Sequence, residues 1–96
     1  MEYKMGLQSK YFNLIKKSEK TVEARLNDAK RQKLKVGDII EFCEEPDRDN
    51  KIDTIVVELD KYNSFSDAID DKGIKCLTNE DESSYVNDLE KYYPKD

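Results

Sequence analysis

The sequence predicts an α+β fold: a small, mostly antiparallel sheet or partial barrel with helices packed at its ends. Three features carry this reading. Short apolar or alternating stretches recur at strand length, one helical stripe follows the first of them, and two more helical patterns close the chain. The 96 residues suit one domain, 1–96, with a modest core and no room for a large buried catalytic machine. Charged residues make up 41% and apolar residues 36%, yet the apolar ones are patterned, which describes a folded chain with a solvated surface rather than disorder.

Residues 3–7 form a short apolar stretch that reads as a first strand. Over residues 8–17, Tyr11, Leu14 and Ile15 follow Leu7 as a helical stripe, with Lys16 and Lys17 in the last turn, where cations suit the helix dipole. Residues 21–26 alternate, with Val22, Ala24 and Leu26 on one face and Thr21, Glu23 and Arg25 on the other, the pattern of a half-buried strand. A basic connection over 30–35 leads to Val36-Gly37-Asp38, a turn signal before a strand over 39–43. Pro46, Asp47, Asp49 and Asn50 make residues 44–51 an exposed hairpin loop. A β-branched strand follows over 52–59, with Ile55, Val57 and Leu59 on one side. Ser64 caps a helix over 65–72, Asp67 stands in a capping-box-like position, and Gly73 ends it. From about residue 81, Tyr85, Val86, Leu89, Tyr92 and Tyr93 fit a helix face that Pro94 stops.

Composition narrows the chemistry. The chain has no histidine, which removes Ser-His-Asp and Cys-His nucleophile systems and nearly all zinc sites. Any reaction must run on Lys, Glu, Asp, Tyr, Thr or Ser. Cys43 and Cys76 are isolated and read as small buried apolar residues, so neither a metal nor a cofactor is expected. No apolar run is long enough to span a bilayer and the N-terminus lacks a signal-peptide pattern, so a soluble, cytoplasmic protein with no membrane partner is expected. The net charge of −5 is unevenly spread. Residues 1–40 hold ten Lys or Arg against five Asp or Glu; residues 41–96 hold seven against seventeen. The whole is a poor non-specific nucleic-acid binder, while its basic first half can still orient a phosphate-bearing ligand.

The chemistry concentrates at Ser18-Glu19-Lys20-Thr21-Val22-Glu23-Ala24-Arg25. On a strand, Thr21, Glu23 and Arg25 would share the non-core face at about 7 Å spacing, with Lys20 entering beside them. Arg offers a planar fork of donors, Glu accepts from an exocyclic amine, and Lys adds a point charge, a set that grips a nucleobase or a phosphate. In a site that excludes water, Lys20 would have a lowered pKa and could serve as a base. The plainer reading of Glu23 and Arg25 is a surface ion pair worth a few tenths of a kcal/mol. Tyr11, Phe12, Tyr85, Tyr92 and Tyr93 read as packing residues, and Glu80-Asp81-Glu82 as a solvated run.

At these residues the sequence resembles the ASCH domain family, a branch of the PUA-like β-barrels. The family signature Gly-x-Lys-x-x-Glu-x-Arg is similar to Ser18-x-Lys20-x-x-Glu23-x-Arg25, followed here by Leu26-Asn27-Asp28. The likeness continues through residues 34–42, 62–69 and 89–94, nearly the whole chain. It implies a PUA-like small, mostly antiparallel β-barrel with flanking helices, and a cleft that binds RNA, a nucleotide or a modified nucleoside. Lys20, Thr21, Glu23, Arg25 and Asn27 would be its ligand-binding residues. Some bacterial members are amidohydrolases acting on N-acetylated cytidine, with Lys and Thr from this motif and a Glu further along; another is a ribonuclease. Three departures stand out. Ser18 replaces the motif glycine, Glu23 stands where the amidohydrolases carry their nucleophilic Thr, and the final barrel strand of the family is not seen after the Tyr-Pro pair. A barrel without that strand would expose an edge, and either a homodimer closed along it or reduced stability is expected.

Three functions follow. The first is a module binding RNA, a nucleotide or a modified nucleoside. The second is an amidohydrolase or ribonuclease in which Lys20 and Glu23 are catalytic. The third is a protein-binding regulator acting through the acidic second half.

Overall fold

Alternation in the first residues sets the foundation of the sheet. In the computed structural model, which describes residues 2–92 and side chains through residue 91, β1 (Glu2–Leu7) turns Met5 and Leu7 into the core and Glu2 and Lys4 to solvent. Helix α1 (Ser9–Lys16) follows at once and buries Tyr11, Phe12 and Leu14. Its end is a left-handed reversal at Ser18, φ 61°, where the Ser18 and Glu19 amides close on the Ile15 and Leu14 carbonyls. This is the position of the motif glycine, and it has the backbone conformation for which glycine is the least strained residue.

Residues 21–26 do not form a strand. The amides of Thr21 and Val22 both donate to the single carbonyl of Cys76, at 2.9 and 3.1 Å, so the segment is pinned to a 3-10 turn (Ile74–Cys76) instead of laddered to a neighbour. Val22 and Ala24 still pack on the core as their alternation indicates, while Leu26 is exposed. After a second 3-10 turn (Arg31–Lys33), the Lys35–Asp38 turn uses Gly37 at φ 97° and closes with the Lys35 amide on the Asp38 carboxylate. It delivers β2 (Ile39–Glu44), whose Ile40 and Phe42 join the core.

β2 pairs with β1 in parallel, Glu2 opposite Ile39 through Leu7 opposite Glu44. The expected mostly antiparallel sheet is therefore mixed, because α1 and residues 17–38 form a crossover long enough to bring the chain back in the same direction. β3 (Lys51–Ile55) pairs antiparallel with β2 after the 44–51 hairpin, which contains a cis Glu45–Pro46 bond. The sheet is three strands in the order β1-β2-β3, and it is open. A closed barrel is not formed, since residues 21–26 do not join the sheet and β3 ends at Ile55, short of Leu59. Ile55, Val57 and Leu59 do share a side, and it faces solvent; Val56 is the residue buried there.

Helix α2 (Phe65–Lys72) starts as expected, with the Ser64 hydroxyl accepting from the Asp67 amide at 3.0 Å, and ends at Gly73, φ 88°. Helix α3 (Glu82–Tyr92) buries Tyr85 and Leu89 on one face. The Tyr92 side chain, Tyr93 and the Pro94 stop lie outside the described residues. The molecule is a small α+β fold with a three-stranded mixed sheet and, among the described residues, three α-helices. None of those helices is long and apolar enough to cross a membrane.

Candidate functional site

The reversal at Ser18 aims Lys20 inward. Its side chain is buried, and the ammonium donates to the carbonyls of Val22 at 2.7 Å and Leu77 at 2.6 Å, with Glu23 Oε1 at 3.2 Å. Three donors thus meet three acceptors. The rings of Tyr11 and Tyr85 flank the same nitrogen, each 5.5 Å away at its centroid, and meet edge to face at 5.7 Å. Burial pulls the Lys20 pKa below the ordinary lysine value, and the charge of Glu23 opposes that shift.

Glu23 passes the contact on. Its other oxygen, Oε2, accepts from Arg25 Nε at 2.7 Å, and Arg25 Nη2 donates to the Gly6 carbonyl on β1 at 2.6 Å. A guanidinium therefore occupies a main-chain acceptor of β1 where a barrel would place a neighbouring strand. The carboxylate of Glu23 is fixed between two cations, one wholly buried and one half-buried.

A pocket opens beside this relay. Gly6, Leu7 and Gln8 line it from the β1–α1 junction, Tyr11 from α1, Glu23 and Arg25 from the motif segment, and Tyr85, Asp88 and Leu89 from α3. Its volume is about 40 Å3, enough for a small group or a ring edge and too small to enclose a nucleobase. On the far wall the Tyr11 hydroxyl lies 2.7 Å from Glu80 Oε1 and 2.8 Å from Asp88 Oδ2. Burial, then the two carboxylates, push the Tyr11 pKa far up, so the phenol keeps its proton and shares it between the two acceptors. Lys10 bridges the same pair, 3.2 Å from Glu80 Oε2 and in contact with Asp88 Oδ2. The buried Thr78 hydroxyl adds a further donor to Glu80 at 3.0 Å.

Of the residues singled out from sequence, Glu23 and Arg25 line the pocket and Lys20 stands directly behind Glu23. Thr21 is exposed and does not line it. Asn27 is exposed too, with its carbonyl taken by Gln32. Sequence reasoning missed Tyr11, Tyr85 and the Glu80/Asp88 pair as site residues. Tyr11 and Tyr85 are buried, as their helical stripes indicate; the available signal was that two stripes on distant helices each carry a tyrosine rather than a phenylalanine. Elsewhere, Glu2, Glu41 and Asp53 bring carboxylate oxygens within 4.8 Å of one another on the outer face of the sheet, remote from the pocket lining.

A family model described as the ASCH domain matches residues 5–96. The crystal structure of hypothetical protein PH0355 is similar, with a TM-score of 0.84 and 32% sequence identity, covering 98% of this chain and 84% of that one. No curated protein matches the chain.

Proposed function

This chain belongs to the ASCH domain family, and from that premise we infer that it binds RNA through the edge of a base, or a nucleoside presenting the same edge, in the pocket beside Lys20–Arg25. The observation that carries this reading is the Glu23 carboxylate, held between Lys20 and Arg25 at the wall of a pocket lined by Tyr11 and Tyr85. A fixed carboxylate accepts from an exocyclic amine, and a guanidinium beside it donates to a ring nitrogen or carbonyl. Among the described residues Arg25 Nη1 has no protein partner, so donors remain for a ligand. The buried Tyr11 and Tyr85 rings give the small cavity an aromatic wall against which the edge of a base can pack.

Charge refines the choice of ligand. Lys10, Lys20 and Arg25 are balanced by Glu23, Glu80 and Asp88, so the pocket is close to neutral and favours an uncharged base over a phosphate. Lys20 acts here by positioning Glu23. The amidohydrolase alternative needs the Lys20 nitrogen to reach a substrate, and that nitrogen is enclosed with three acceptors, so hydrolysis is not part of this proposal.

Amide chemical-shift mapping with cytidine, N-acetylated cytidine and a short single-stranded oligoribonucleotide tests the reading. Shifts are expected at Gly6, Leu7, Glu23, Arg25 and Tyr85. Arg25→Lys loses the fork and is expected to weaken binding roughly tenfold or more while the protein stays folded. Shifts confined to other surfaces, or unchanged affinity in Arg25→Lys, would overturn it.

A further inference from the structure

β3 is the edge of the sheet remote from the pocket, and among the described residues no strand pairs with its outer side. That edge is apolar. Ile55 is 65% exposed, Val57 81% and Leu59 47%, with exposed Ile39 beside Ile55 in the register. Native edges are usually blunted by a lysine, a proline or a bulge in the run itself; here Asp53 and Lys61 flank the apolar residues on the side they share, while Glu58 and Asp60 within the run turn to Lys72.

The direction of the unused hydrogen bonds is fixed by the ladder. Val56 bonds toward the β2 side, its amide to the Asp38 carbonyl and its carbonyl from the Gly37 amide. Successive residues of an antiparallel strand alternate in this respect, so Asp53, Ile55 and Val57 present their main-chain groups outward. Residues 57–60 make no main-chain hydrogen bond with any described residue. Glu58 and Asp60 both reach Lys72 on α2, which puts Val57, Leu59 and Lys61 on the opposite side, as in an extended chain.

We propose that a second copy of this chain pairs antiparallel along this edge, about a two-fold axis through Val57. In that register Val57 meets Val57 of the partner copy, Ile55 meets the partner's Leu59, and Asp53 meets the partner's Lys61. Every pair joins outward-bonding residues, the apolar ones at the centre and opposite charges at both ends. Centring the pair on Ile55 would set Asp53 against Val57, and centring it on Leu59 would set Lys61 against Val57, so neither neighbouring register matches charge with charge. An isologous contact of this kind closes on itself and leaves the pocket at the β1 end open in both copies.

Sedimentation velocity on the full chain, from micromolar to near-millimolar concentration, reads the dimer. Val57→Lys places two ammonium groups face to face on the axis and is expected to raise the dissociation constant roughly tenfold or more, without loss of fold because Val57 is exposed. Asp53→Lys and Lys61→Asp are each expected to weaken the dimer by about twofold to fivefold for each charge pair, and the double variant to restore it. A monomer at every concentration, a dimer indifferent to Val57→Lys, or a double variant weaker than both single ones would overturn the proposal.

Discussion

Replacing Lys20 by Met tests whether the motif lysine is a structural hub. The ammonium serves the Val22 and Leu77 carbonyls and Glu23, and Lys20 is only 3% exposed. Methionine fills much the same space with no donor. Two buried carbonyls then lose charge-assisted bonds at about 1–3 kcal/mol each, while Glu23 keeps Arg25. The expected net loss is about 3 kcal/mol, at the low end of what removing one partner of a buried ion pair costs. For a domain with a total stability of about 5–15 kcal/mol that is a large fraction. In equilibrium urea unfolding followed by far-ultraviolet circular dichroism, the midpoint should fall by roughly 1–3 M with an unchanged slope. A loss below about 1 kcal/mol would refute the reasoning, because the nitrogen could then not be holding those carbonyls in solution.

Two further outcomes are expected. Ser18→Gly should stabilise the protein, because a left-handed serine costs about 1–2 kcal/mol, offset by about 0.4–1 kcal/mol of extra freedom in the unfolded chain; a Tm no higher than that of the parent protein contradicts this. Lys10, and then Tyr11, hold the Asp88 carboxyl below its ordinary value of 3.8, so its contribution is present above the unfolded value and lost as pH falls through the folded one. Between about pH 5 and pH 2 the urea midpoint of Asp88→Asn should therefore fall less steeply than that of the parent, and parallel curves would count against the assignment.

Local signals in the sequence were reliable where the structure is local. The stripe through Tyr11 and Leu14, the Ser64 cap and the Gly73 stop each depend on residues within a turn or two, and each stands where the pattern puts it. The Thr21–Arg25 alternation correctly separates Val22 and Ala24, which pack on the core, but it does not make a strand. A strand also needs a partner's backbone, and among the described residues this one is offered only the Cys76 carbonyl, more than fifty residues away. Alternation is equally silent on direction, which is why the parallel β1–β2 pair was not foreseen. At the site, Glu23 and Arg25 were visible as opposed charges two residues apart. Glu80 and Asp88 were not, because an acidic residue that caps a buried phenol looks in sequence like any solvated one.

The pocket is also a junction between the two ends of the chain. The Lys20 ammonium reaches a carbonyl 57 residues on, and the Tyr11 hydroxyl a carboxylate 77 residues on. The signature is therefore contiguous while the cavity is not. A fragment retaining residues 18–28 keeps the Lys20-Glu23-Arg25 signature, yet without α3 it loses the wall formed by Tyr85, Asp88 and Leu89. Fraying of α3 alone would have the same effect in the intact molecule, loosening the pocket while β2 and β3 stayed paired. The pocket is thus coupled to the docking of the last helix, and the motif marks its location without containing it.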